Sequence, residues 1–328
     1  MSLVTAVTRS SIAAISLAIL SGCAVNMKIP VKEPLVSTLA YSKNGAAAVS
    51  LAFRDAQNEA DRKTGTSGTI PMHLEYQAKP LETTPWLAAQ VIKEMKARGL
   101  PVTLAGSGPA GATIVIKRMH IENHRANAFS PFVTFTSLSA ELETPAGPKR
   151  ISAWIKRAKV PVWSFDEVID PTFNDPLAIL SKELAAKLNQ HLFKQVASTD
   201  DVNALIAKIN KDATTRADAY LDVYQLGFSN NPAVIPELVK LSTSPSEYVR
   251  LAALSSLGIV KATGQMNFLV GRYESKTGIW QDRGMALKAI GDLDTAESRA
   301  YLQKQAALFE KSSDKEATWT KQIIQLYL

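Results

Sequence analysis

Arg250-Leu-Ala-Ala-Leu-Ser-Ser-Leu-Gly258 and Arg283-Gly-Met-Ala-Leu-Lys-Ala-Ile-Gly291 are one pattern written twice, with the arginine, the small and aliphatic residues and the glycine in register. Gly227 closes a third apolar segment, and the three glycines are 31 and 33 residues apart. Leu205, Leu238, Leu269 and Leu302 keep the same beat, at separations of 33, 31 and 33. A period of this length marks a helical solenoid, in which each helix pair buries a face that it cannot cover alone. Asn231-Pro232 and Ser244-Pro-Ser-Glu247 read as helix starts, the second as a capping box with Glu247 reaching back to the Ser244 amide. Four helix pairs fit between residues 200 and 328, with Asp200 to Gly227 and Ala296 to Leu328 as atypical ends.

Upstream of this region the pattern changes. Ala46-Ala-Ala-Val-Ser-Leu-Ala-Phe53 is apolar enough for a buried strand, and the polar stretch from Arg54 to Gly68 reads as a loop. Thr84-Pro85-Trp86 opens a helix that closes at Arg98-Gly99, with Leu87, Val91 and Met95 on one face. Three β-rich runs follow, Thr113 to Ile121, Phe132 to Leu142 and Ile151 to Val162, and Pro145-Ala-Gly-Pro148 forms the turn between the last two. Asp175-Pro176 begins a helix striped by Leu177, Leu180, Leu184 and Leu188 that ends near His191. The order predicts an α+β domain, a mostly antiparallel sheet with helices on one face, followed by the all-α repeat domain.

The N-terminus carries one charge, Arg9, then the apolar run Ser11 to Leu20, then Ser21-Gly22-Cys23. That layout is a secretion signal, too short to span a bilayer as a stable helix. Leu20-Ser21-Gly22-Cys23 resembles the lipobox of bacterial lipoproteins. The resemblance implies cleavage before Cys23, a lipid on that cysteine, and an extracytoplasmic domain behind it. Cys23 is the sole cysteine of the chain, and an acylated cysteine leaves no free thiol in an oxidising compartment. Ala24 follows where aspartate retains such lipoproteins in the inner membrane, so the resemblance implies an outer-membrane protein facing the periplasm. The resulting divisions are 1–22 as signal, 23–45 as lipidated tether, 46–195 as the α+β domain and 200–328 as the repeat domain.

Two further likenesses bear on these domains. The strand ending in Phe53-Arg54-Asp55, the helix ending in Lys96-Ala-Arg-Gly-Leu100 and the sheet-then-helix finish resemble the YajG-type bacterial lipoproteins, which implies fold and location but no activity. Arg-x-x-Ala-x-x-x-Leu-Gly resembles HEAT-like repeats, which implies a protein-binding surface.

The 328 residues carry a formal net charge of +7, with 46% hydrophobic and 20% charged residues. Without Arg9 the remainder is +6, a mild basic bias suited to anionic surfaces and too dilute for a nucleic-acid binder. One cluster concentrates it: Lys149, Arg150, Lys156, Arg157 and Lys159, beside Trp154 and Trp163. Strand alternation puts Lys156 on the Trp154 face and Arg157 with Lys159 on the other. The plain reading is a solvated edge kept from aggregating by lysines, and the sharper one is a contact to anionic lipid headgroups or lipopolysaccharide.

Chemistry is sparse. His120 and His124 have a zinc-ligand spacing only on a helix, and here they end a strand pattern more than about ten ångströms apart. His73 and His191 stand alone, and no metal or other cofactor is expected. Asp55, Glu59, Asp61 and Glu75 could form a carboxylate pair for glycan hydrolysis, but their spacing does not require it. Ser107-Gly108-Pro109 is a turn, and the nucleophile-elbow, phosphate-loop, dinucleotide and zinc-protease motifs are missing from the sequence. The expectation is a non-enzymatic envelope lipoprotein that docks other envelope proteins. The alternative is lipid or glycan handling in a groove between the first domain's helix and sheet.

Overall fold

The computed structural model describes residues 27–42, 45–106, 110–127, 129–145 and 147–328, with the side chains of residues 63 and 64 left out. The expected signal, with Leu20, Ser21, Gly22 and Cys23, and the expected turn from Ser107 to Pro109 lie outside the described residues. Among the described residues no helix is long and apolar enough to cross a membrane.

The first half is built on a mixed sheet of β6 (Val102–Leu104), β2 (Val49–Asp55), β7 (Ala112–His124), β8 (Phe132–Glu143) and β9 (Lys149–Lys159) in that order, with β3 (Thr66–Gly68) beside the end of β7. The long β7–β8 and β8–β9 pairings are antiparallel, and the short pairings of β2 with β6 and β7, and of β3 with β7, are parallel. A second small sheet joins β1 (Met27–Pro30), β4 (Met72–Tyr76) and β5 (Lys79–Pro80). The stretch from Arg54 to Gly68 is ordered structure and not a loop: Asn58 caps a short helix α1 (Glu59–Thr64), which Gly65 ends with φ +62°, and β3 follows. Its polarity misleads because α1 lies on the surface and needs few apolar residues.

Helix α2 (Thr83–Ala97) buries Trp86, Leu87, Val91 and Met95, and helix α3 (Asp175–Leu192) buries Leu177, Leu180, Leu184 and Leu188. The space between α2 and the sheet, where a ligand groove would sit, is filled by these side chains together with Leu51, Val102 and Ile114.

The second half is a stack of four helix pairs: α4 (Thr199–Asp212) with α5 (Ala219–Phe228), α6 (Ile235–Leu241) with α7 (Glu247–Ile259), α8 (Met266–Tyr273) with α9 (Trp280–Leu293), and α10 (Ala296–Phe309) with α11 (Lys315–Gln325). Leu238, Leu269 and Leu302 are fully buried and Leu205 half-buried, as the period predicts. The repeating glycines lie inside their helices and act by closeness. A Cβ on Gly258 of α7 would stand 2.7 Å from Cα of Ala289 in α9, Gly227 meets Ser256 in the same way, and Gly291 meets the Tyr327 ring. Gly227 and Gly258 thus let one inner helix touch the next, and Gly291 makes room for the Tyr327 ring just beyond α11. Gly258→Ala should lower stability by about 1–3 kcal/mol in urea unfolding, because the backbone of α9 must move and that outweighs the helix-propensity gain of about 1 kcal/mol.

The stack wraps the β9 edge of the sheet, so that α9 and α11 cover the face opposite α3. Trp154 meets Trp280 at 6.0 Å and stacks on Phe135 at 5.3 Å, and Trp319 lies 4.9 Å from Phe135. The Tyr248 hydroxyl accepts from the Ala158 amide at 2.9 Å and donates to its carbonyl at 2.6 Å, satisfying the backbone of the edge strand. Glu247 serves this junction too. Its carboxylate bonds Lys156 at 2.6 Å and does not reach back to Ser244, so the expected capping box is absent.

Candidate functional site

Strand β9 carries the five basic residues singled out in the sequence, and the structure separates them. Lys149 and Arg150 at its start and Lys159 at its end are exposed. Lys156 and Arg157, placed in the anionic-surface contact by the sequence, are instead buried. Both faces of β9 are covered, so alternation sends each into packed structure. Lys156 pairs with Glu247, and burial pulls its ammonium below the usual range. Arg157 donates to the Pro171 carbonyl at 3.0 Å and lies between the Tyr220 and Tyr248 rings, 4.0 and 3.8 Å from their centres. These two hold the halves together, and the surface contact loses them.

Lys149 and Arg150 open instead into a cleft of about 410 Å³ between the two halves. His191 ends α3, Lys261 follows α7 with φ +56°, and Arg299 of α10 completes the wall. Among the described residues Lys149, Arg150 and Lys261 form no ion pair. Burial, then the charge of Lys261, lowers the His191 pKa, and burial also lowers that of Lys261 against the pull of Asp292. Asp292 and Asp294 also line the cleft, and Asp294 lies 3.8 Å from Arg299, so Lys149, Arg150 and Lys261 are the cations there that an incoming anion would meet. Sequence reading missed Lys261, Arg299 and His191 because they come from three separate helical elements, and only the stacking brings them to β9.

At the floor of this cleft lies a closed charge network. Glu183 and Lys187 of α3 meet Lys288 and Asp292 of α9. Lys187 Nζ is 2.6 Å from both Glu183 Oε1 and Asp292 Oδ1, and Lys288 Nζ is 2.7 Å from Glu183 Oε1 and Asp292 Oδ2. Lys288 also donates to Ser255 Oγ at 2.8 Å, and Lys187 to the Ser152 carbonyl. Two carboxylates and two ammoniums balance, and all four side chains are buried.

The histidines and carboxylates serve locally. His120 Nε2 is 2.7 Å from Ser67 Oγ and its Nδ1 is 2.8 Å from Asp61 Oδ1, the contact order of an acyl-transfer triad. The Asp61 carboxylate is shared with Arg118 at 3.2 Å and the Asn58 side-chain nitrogen at 2.6 Å. Ser67 stands exposed on β3. The group fastens α1 to β7. His124 Nε2 lies 2.8 Å from Glu122 Oε1, and its ring lies against that of Trp319. Asp55 pairs with Arg62 and Glu75 with Lys28, so these carboxylates do not join Asp61 in a catalytic pair.

The chain matches no protein-family model, and no curated protein matches it. Among solved structures it is similar to a Xanthomonas campestris protein of the DUF330 family, with 13% identity and a TM-score of 0.32 over 48% of this chain and 92% of that one. It is also similar to an uncharacterized protein, with 13% identity and a TM-score of 0.29 over 50% of this chain and 99% of that one.

Proposed function

We propose that the protein is a non-enzymatic lipoprotein of the bacterial cell envelope, anchored through Cys23 in the outer membrane, which holds an acidic segment of a partner envelope protein in the cleft between its halves. The observation that carries this reading is the convergence of Lys149, Arg150, Lys261, Arg299 and His191, from both halves, on one cleft. The lipobox likeness of Leu20-Ser21-Gly22-Cys23 supports the anchor, the YajG-type likeness agrees with that location, and the HEAT-like likeness agrees with a scaffold. The repeat stack spends one side on its own sheet, which leaves the cleft and the outer helices for partners. The filled space beneath α2 speaks against a lipid groove there.

The test is affinity capture from crosslinked cells. Wild-type protein should recover a reproducible partner, and a Lys149→Glu, Arg150→Glu, Lys261→Glu variant should recover at least about ten-fold less, a loss of about 1.4 kcal/mol, while staying in the membrane fraction. Equal recovery by the variant, or no reproducible partner, overturns the scaffold. Cys23→Ser should release the protein or leave its signal uncut, and unaltered membrane fractionation of that variant overturns the anchor.

A further inference from the structure

Phe129 and Trp163 are the most exposed large apolar side chains among the described residues, at 91% and 92%, and Val162 at 65% and Val160 at 45% stand beside Trp163. Phe129 belongs to the turn joining β7 to β8, and the others to the segment leaving β9. In this antiparallel arrangement both connections emerge at one end of the sheet, where His124 pairs with Val133 and Phe132 with Lys159. Arg125, Val162 and Trp163 line one shallow depression there.

Neither connection is loosely held. The Glu167 carboxylate accepts from the amides of Val162, Trp163 and Ser164 at 2.9, 2.8 and 3.2 Å. In the other turn, Ser130 Oγ accepts from the Ala126 and Asn127 amides at 3.0 Å each, and Asn127 Oδ1 accepts from the Phe129 amide at 2.9 Å. Fixed backbone that presents a tryptophan and a phenylalanine to water loses hydrophobic free energy unless something covers them.

The start of the described chain lies at this same end. The Met27 amide donates to the Pro71 carbonyl at 3.4 Å, the neighbouring Ile70 amide bonds Asn123 Oδ1 at 3.0 Å, and the Arg125 amide bonds Thr69 Oγ1 at 3.3 Å. Only residues 24–26 separate Met27 from Cys23. Four extended residues reach at most about 14 Å. A lipid on Cys23 therefore brings the bilayer surface to the end of the sheet that carries Phe129 and Trp163. The basic Lys159 and Arg125 flank these aromatics and suit anionic headgroups, and tryptophan favours the headgroup level of a bilayer.

We infer that this end of the sheet is a second membrane contact, in which Trp163, Phe129 and Val162 insert at the headgroup level of a phospholipid bilayer and fix how the anchored protein stands on it. The inference rests on the Cys23 anchor of the preceding reading. With two points of attachment the body cannot swing about its tether, and the helix stack is held outward.

The test uses the full lipidated protein reconstituted in phosphatidylcholine vesicles containing phosphatidylglycerol, with brominated acyl chains as the quencher. Intact mass first reports whether Cys23 is acylated. Trp163→Phe removes one surface tryptophan and should leave circular dichroism unchanged. Wild-type emission should fall on bromination, and at least about half of that quenching should vanish in Trp163→Phe. The Phe129→Ser, Val162→Ser variant, which keeps Trp163, should lower its quenching at least two-fold. Acylated protein whose quenching is the same in wild type and Trp163→Phe overturns the contact while the anchor stands. Missing acylation overturns the anchor and the orientation with it.

Discussion

Lys288→Met is expected to cost about 3–5 kcal/mol of folding stability, read from urea unfolding followed by circular dichroism. The Lys288 ammonium is fully buried between Glu183 and Asp292, 2.7 Å from each. Its removal leaves two buried carboxylates to share Lys187, and so one uncompensated charge in a buried site. Charge balance, not the lysine itself, is what the fold needs. Adding Glu183→Gln to Lys288→Met restores neutrality and should recover at least about 1 kcal/mol, so that the double variant is more stable than the single one. A double variant that merely adds the two losses would refute a coupled network.

The pH dependence of stability follows from the same four groups. Burial pushes the Asp292 carboxyl up, but Lys187 and Lys288 outweigh it and hold the pKa below the usual carboxylate value. A depressed folded pKa gives stability that is present above the unfolded value of about 3.9 and lost as pH falls further. Burial lowers Lys288, while Asp292 and Glu183 raise it on balance, so its contribution is present below about pH 10.4 and lost above that. Wild-type melting temperature should therefore drop below about pH 4, and less steeply in an Asp292→Asn variant, whose network no longer titrates at this position.

Arg98→Ala is the second change expected to cost about 3–5 kcal/mol. Arg98 ends α2 with no exposed surface. Its Nε bonds Glu94 at 2.6 Å, one terminal nitrogen bonds the Phe228 carbonyl at 3.0 Å, and the other bonds Ser37 Oγ at 2.8 Å and Gln225 Oε1 at 2.9 Å. The Tyr41 hydroxyl donates to the same Phe228 carbonyl at 2.8 Å. One guanidinium thus joins the segment between β1 and β2, the sheet domain and the first helix pair, and satisfies a carbonyl at the end of α5 that the helix itself leaves open. Arg98→Lys should still lose about 2 kcal/mol, since an ammonium cannot span the same planar fork. Loss confined to the segment between β1 and β2, with the two halves still unfolding in one transition, would show that Arg98 does not join them.

Much of the architecture was legible in the residues. The apolar stripes of α2 and α3, the long β7, β8 and β9 runs and the 31 to 33 residue period all report burial on one regular face, a property that spacing alone expresses. The small sheet of β1, β4 and β5 was not legible. Met72-His-Leu-Glu-Tyr76 is short and mixed, and it becomes a strand because Met27–Pro30 pairs with it from far away in sequence. Arg98 read as an ordinary polar helix end, and Lys156 with Arg157 as solvated strand residues, because a charge shows its burial only through partners distant in the chain. The cleft was half legible: Lys149 and Arg150 stood out as neighbours, whereas Lys261 and Arg299 did not.

By itself the sequence determined the class of each half and the beat of the helix stack, for these follow from local periodicity, and it carries the lipobox likeness at Cys23. The tertiary structure decided which charges are free, because the stack closes over both faces of β9 and turns lysine and arginine into buried ties. It likewise decided that Phe129 and Trp163 share one end with the start of the described chain, a consequence of strand register that no short stretch of residues encodes.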